Sequence, residues 1–275
     1  MAEHPERAGD DARLARGVLA RDAPGGRVGA APGPRRGPSA APLPIATIAL
    51  IAASAIAYLL AIRGGGSLLG GPSEATLLAY GAIPYELTHG GSHCALSLLG
   101  TGVLCTGQRG VIGAAGAQPP TWETVVTSIF VSAGLLRLCG TMVLLACFAW
   151  PLERALGRPA VVATFLLGGL VGLGATVAAA PDSTAPALGA SGAVCALAGA
   201  HAALCAERRG RTAAIVVALL ALLELPSLAG LGAAALRSGA ATVLYAHLAA
   251  LAAGVLAAAG ARAWRGAQVE AARIE

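Results

Sequence analysis

The chain has 275 residues, of which 56% are hydrophobic, 12% charged and only 4% aromatic, and its mean hydropathy is +0.71. A soluble globular domain carries roughly twice that share of charge, about 25%, so that class is excluded and a membrane protein is indicated. The formal net charge of +5 rests on arginine alone, since the chain has no lysine; in a membrane protein such charge serves topology and contact with anionic lipid, and no nucleic-acid partner is expected.

Residues 1–43 hold seven arginines, five acidic residues and many Pro, Gly and Ala without apolar periodicity, which predicts a disordered tail. A secretory signal peptide is the competing reading, but the basic segment is too long and no cleavage site follows the first apolar run. That run, Ile45–Ile62, is predicted to be a retained membrane helix. Residues 64–123 are too long and apolar for a plain loop and contain His89, His93, Cys94 and Cys105. Their spacing fits no zinc signature, so neither metal nor cofactor is expected. A disulfide between Cys94 and Cys105 is expected instead, because both lie in one outer segment facing an oxidising compartment.

Five further apolar stretches follow: Val125–Trp150, Ala160–Ala180, Ala187–Ala206, Thr212–Leu236 and Thr242–Ala261. Each approaches the roughly 20 residues that cross a ~30 Å hydrocarbon layer. Alternating barrel strands are absent, so the prediction is an all-α polytopic membrane protein, a six-transmembrane-helix bundle over 44–261 with a short cytoplasmic tail at 262–275. Counting loops alternately puts the tail arginines, Arg154, Arg158, Arg208, Arg209, Arg211, Arg262, Arg265 and Arg273 on one side, and only Arg63, Arg109 and Arg237 on the other. Both termini are therefore predicted to be cytoplasmic.

This orientation makes a depth comparison possible. Ser191 lies five residues after Pro186 and His247 eight after Gly239, so at 1.5 Å per residue both sit roughly 7–12 Å inside helices entering from the outer side. A hydroxyl and an imidazole at one level can serve as nucleophile and base. Gly189, Gly192 and Gly199 on one helix and Ala250 and Gly254 on the other let two backbones approach closely. The bland alternative is a packing serine and a satisfied bundle histidine. In the third helix, Gly168, Gly169, Gly172 and Gly174 are read as intramolecular packing. A transporter is disfavoured, since the fourth and sixth stretches lack paired Gly/Pro breaks.

The run Pro186-Ala187-Leu188-Gly189-Ala190-Ser191-Gly192-Ala193, followed by Ala246-His247-Leu248-Ala249-Ala250 and Gly254, resembles the rhomboid intramembrane serine proteases. Thr121–Phe130, Met142 with Leu152–Gly157, Tyr80–Leu87 and Glu224-Leu225-Pro226 are similar to further family segments. The resemblance implies a Ser-His dyad, Ser191 as nucleophile and His247 as general base, acting on transmembrane-helix substrates from a site open to the outer side of a bacterial inner (cell) membrane. It departs from the family at the second helix. The usual His-x-x-x-Asn pair, which helps form the oxyanion hole, is replaced by Arg137 and Thr141. Four-residue spacing puts both on one helical face, so Thr141, Arg137 and the Ser191 backbone N–H are the candidate oxyanion donors. A structural pair between Arg137 and Glu224 of the fifth stretch is the competing reading. An inactive relative that binds transmembrane clients without cutting them is the alternative function.

Overall fold

The computed structural model describes residues 43–97, 102–108, 119–188, 190–205 and 233–274. Residues 1–42 of the predicted tail, Arg109, Gly189, the arginines 208, 209 and 211, and the fifth stretch up to residue 232, with Glu224 and Pro226, lie outside the described residues; its last four residues, 233–236, open the helix that continues into the sixth stretch. In chain order the elements are α1 (Ile45–Arg63), β1 (Gly66–Ser67), β2 (Gly71–Pro72), α2 (Glu74–Tyr80), α3 (Pro84–Thr88), β3 (Cys94–Leu96), β4 (Val103–Cys105), α4 (Thr121–Phe130), α5 (Leu135–Leu156), α6 (Arg158–Ala179), α7 (Ala190–Leu204) and α8 (Ala233–Ile274). The described residues are mostly helical and include two antiparallel two-stranded ladders, β1–β2 and β3–β4, in the outer segment.

Among the described residues, four segments are long and apolar enough to cross a membrane: Ile45–Arg63, Leu135–Leu156, Arg158–Ala179 and Thr242–Arg273. Their outward faces carry Ile48, Ile56, Leu60, Leu136, Val143, Leu167, Leu248 and Leu256, all exposed. So continuous an apolar surface has a stable place only in lipid. The shorter α7 has no such face. Every residue from Ala190 to Ala200 is buried, and α5, α6 and α8 enclose it. Its core neighbours include Leu145, Phe148, Leu152 and Phe165.

Three predicted boundaries are corrected. The second stretch is not one helix: α4 ends at Phe130, residues 131–134 are not helical, and α5 starts at Leu135. At this break Gly71 of the β1–β2 hairpin lies so close to the Ala133 carbonyl that a Cβ there would sit 2.3 Å from its oxygen. The fourth stretch is not helical at Ala187 and Leu188, because Ala187 is held in an antiparallel bridge with Ala82; α7 is described from Ala190. The last helix overruns its predicted limits at both ends, from Ala233 to Ile274. Arg262 and Arg273 are exposed on this extension, where a run rich in alanine supplies helix propensity without an apolar requirement.

The start of α1 is closed by a distant residue. Pro44 gives α1 no side-chain cap. The Glu153 carboxylate of α5 does so instead: it accepts the N–H of Ala46 at 3.0 Å, the N–H of Thr47 at 2.9 Å and the Thr47 hydroxyl at 2.8 Å. Two of the four donors that a helix start leaves unpaired are thus satisfied, with a negative charge at the positive end of the dipole. Gly157, at φ 89°, turns α5 directly into α6, a backbone conformation open mainly to glycine.

Candidate active site

The site is assembled where small residues let helices touch. A Cβ on Gly254 of α8 would meet the Ala196 carbonyl oxygen of α7 at 1.8 Å, and one on Gly199 of α7 would meet that of Leu251 in α8 at 2.1 Å. Only hydrogen fits at these two contacts. Gly192 faces the other way: a Cβ there would lie 3.6 Å from the Gly168 carbonyl and from Gly172 Cα, both of α6. Ala250 is fully buried and lies in ordinary contact with the space beside Gly172. The small residues beside Ser191 and His247 therefore join α7 to two helices.

Ser191 and His247 are both buried, at 8% and 6% exposure, and line one cavity of about 50 Å³. Ser191 is the second residue of α7, whereas His247 lies well inside α8. Equal distance from the two helix starts, the premise of the depth comparison, does not hold. The residues meet because α7 is short and docks beside the middle of a long α8. Among the described residues the Ser191 hydroxyl has no hydrogen-bond partner, unlike Thr164 and Thr176, whose hydroxyls donate to carbonyls four residues earlier. The Ser191 N–H is among the first four amides of α7, which have no acceptor inside the helix.

A larger cleft of about 690 Å³ opens from the same pair. Arg137 of α5 lines it together with Ser191, His247, Thr176, Thr242 and the connection 179–188. Thr141 is placed differently. It is 2% exposed, lines neither space, and donates its hydroxyl to the Arg137 carbonyl at 2.7 Å. One helical face was expected to send both side chains into the site; the structure brings Arg137 there and leaves Thr141 bonded within its own turn.

The sequence reading missed two contributors. From α4, Ser128 and Ile129 wall the small cavity, and the Ser128 hydroxyl donates to Val125 at 3.0 Å. A serine within an apolar run was the available signal. The connection before α7 is held by the outer segment: Ala82 and Ala187 exchange both backbone hydrogen bonds, at 3.2 and 2.8 Å, and the Tyr85 N–H donates to Ser183 at 3.0 Å. The Thr88 hydroxyl also donates to the Pro181 carbonyl at 2.9 Å. No local pattern could have revealed these pairings, which span about a hundred residues.

Further along the outer segment, Cys94 and Cys105 are joined by a disulfide between β3 and β4. The buried Glu86 carboxylate accepts the Cys94 N–H. Burial pushes the Glu86 carboxyl above its usual range, while that hydrogen bond and nearby His93 pull it partly back. His89 stacks on Tyr85. Among the described residues, no three His, Cys, Asp or Glu side chains gather as metal ligands would.

Apolar spans wrapped around a buried serine-bearing helix define an integral membrane protein with an internal polar cleft. The family model for the rhomboid domain matches residues 119–264, more than half of the chain, and the chain belongs to the rhomboid family. Comparison with curated proteins and with solved structures returns no match.

Proposed function

We propose that the protein is an intramembrane serine endopeptidase that cuts transmembrane-helix substrates with Ser191 and His247. The observation that carries this reading is the cavity lined by both side chains. His247 takes the Ser191 proton as Oγ adds to the scissile carbonyl carbon, then returns it to the leaving amine as the C–N bond breaks. Water, activated by the same imidazole, adds to the acyl ester; the C–Oγ bond breaks and the serine hydroxyl is restored. The oxyanion is met by the Ser191 N–H at the α7 start, where the helix dipole also favours negative charge. The nearby Arg137 guanidinium adds to that field. Thr141 has no part in this reading, its hydroxyl being committed to Arg137 O.

A six-helix membrane domain over 44–261, with a seven-arginine tail and both termini in the cytoplasm, belongs to the same proposal, as does a site open to the outer face of a bacterial inner membrane. The arginine distribution supports that orientation. One observation favours a second reading, an inactive rhomboid-like protein that holds transmembrane clients: a permanent cation lines the cleft where the family usually has histidine.

Purified protein incubated with a fluorophosphonate probe separates the two. Labelling is expected on Ser191, absent in Ser191→Ala, and His247→Ala should lower turnover by on the order of 10⁴-fold or more. Native protein that inserts normally but takes no label would leave client binding as the function.

A further inference from the structure

We propose that the groove between α1 and α4 binds one anionic glycerophospholipid, its phosphate on Arg63 and an acyl chain along the small residues of α1. The proposal stands apart from the proteolytic reading, since it needs neither Ser191 nor His247. The groove has a volume of about 790 Å³, within the range of about 300–1,000 Å³ that holds small ligands. Ala53, Ile56, Ala57 and Leu60 of α1 form one wall, and Val126 and Phe130 of α4 the other. Spacings of three and four residues keep the α1 set on one helical face. Alanine at two of its four positions leaves room that longer side chains would fill.

One end of the groove is polar. Arg63, the last residue of α1, lines it together with Tyr80 of α2 and Thr127 of α4. The 19 residues of α1 extend about 28 Å, close to the ~30 Å hydrocarbon layer, so Arg63 lies at headgroup level. From Ala53 to Arg63 the face rises roughly 15 Å, which is half of that layer and thus the depth of one leaflet's acyl chains. The polar end and the apolar walls therefore match the two parts of a phospholipid.

Charge selects the headgroup. Among the described residues Arg63 has no ion-pair partner, and none of those lining the groove is acidic. The Thr127 hydroxyl is committed to the Tyr80 carbonyl at 2.8 Å and the Glu123 carbonyl at 3.0 Å, which leaves recognition to the guanidinium. Its planar fork matches a phosphate through two parallel N–H bonds. With no lining carboxylate to receive a choline, phosphatidylglycerol gains more than phosphatidylcholine. Ile56, Leu60 and Val126 are exposed, so no described part of the chain covers the groove.

The test uses the full-length protein carrying Trp150→Phe and Trp264→Phe, which leaves Trp122 as its one tryptophan. Trp122 is exposed and shares a face of α4 with Val126, so bromines on a lipid chain in the groove quench its fluorescence. In phosphatidylcholine nanodiscs, brominated phosphatidylglycerol should reach half-quenching at a mole fraction at least about fivefold lower than brominated phosphatidylcholine, as one arginine at a lipid surface implies. Arg63→Gln should abolish that advantage. Ala57→Phe, which keeps the charge and fills the groove, should weaken quenching by both lipids. Inorganic phosphate at constant ionic strength should leave the phosphatidylglycerol curve unchanged; a curve that phosphate shifts gives the site to the free anion and overturns the lipid assignment. Equal curves for the two lipids overturn the proposal whether or not the groove variants fold, and so does an advantage that survives Arg63→Gln. Quenching by neither lipid means that a second copy or a transmembrane partner covers the groove, and overturns it as well.

Discussion

Arg137 and Thr141 lie one helical turn apart, yet one side chain enters the cleft and the other closes a hydrogen bond to the first one's carbonyl. A threonine hydroxyl in an apolar helix satisfies itself on the preceding turn when no other partner is offered, and a guanidinium cannot, so it follows the polar space. Thr141→Val should therefore leave turnover unchanged and cost about 1 kcal/mol or less in stability, measured by denaturation in detergent. A large fall in turnover at unchanged stability would return Thr141 to the oxyanion hole. The same contrast applies to Ser191, which has no such bond among the described residues and is left available to a neighbouring base.

At the scale of elements, the contact between α7 and α8 is what places a serine near one helix end beside a histidine in the middle of another. Without a hydrophobic driving force between helices in lipid, this contact depends on close packing. Gly254→Ala would put a methyl carbon 1.8 Å from the Ala196 carbonyl oxygen, so the helices must separate. The expected cost is roughly 1–3 kcal/mol, together with slower fluorophosphonate labelling. Gly174, where an added Cβ would meet no atom within 4 Å, is the matched control, and Gly174→Ala should label normally. If Gly254→Ala labels at the native rate, tight α7–α8 packing does not set the dyad.

At the scale of the whole molecule, the outer segment works as a brace on the connection before α7, through Ala82, Tyr85 and Thr88. The Cys94–Cys105 bridge fastens the hairpin that follows. Neither thiol should react with an alkylating reagent under denaturing, non-reducing conditions, and replacing both by serine should destabilise the segment by about 3 kcal/mol, as expected for a loop of this length. Alkylation of either thiol would refute the bridge. The raised Glu86 carboxyl gives the brace a pH dependence. A folded-state pKa above the ordinary value of 4.5 means a contribution fully present below that value and lost as pH rises through the raised one. Hydrogen exchange of amides in 84–96, corrected for intrinsic rates, should show weaker protection towards neutral pH, and Glu86→Gln should flatten the trend. A native trend of the opposite sign would count against the burial argument.

The sequence by itself determined the environment and the family, and pointed to the residues proposed to carry the chemistry. Membrane helices must satisfy their own backbone and present apolar side chains, so composition and run length alone expose α1, α5, α6 and α8, and the GASG and AH motifs single out Ser191 and His247. Arg137 was legible as an anomaly, because charge within an apolar run is costly and must find a polar destination. Tertiary structure decided what depends on partners distant in sequence. It broke the second stretch at residues 131–134, where the hairpin glycine Gly71 meets the chain. It delayed the start of α7 by tying Ala187 to Ala82, gave α1 its cap from Glu153, and divided Gly192 and Gly254 between different neighbours. Glycine in a sequence signals that something comes close, but only the packed molecule shows what, because a missing side chain carries no information about its partner.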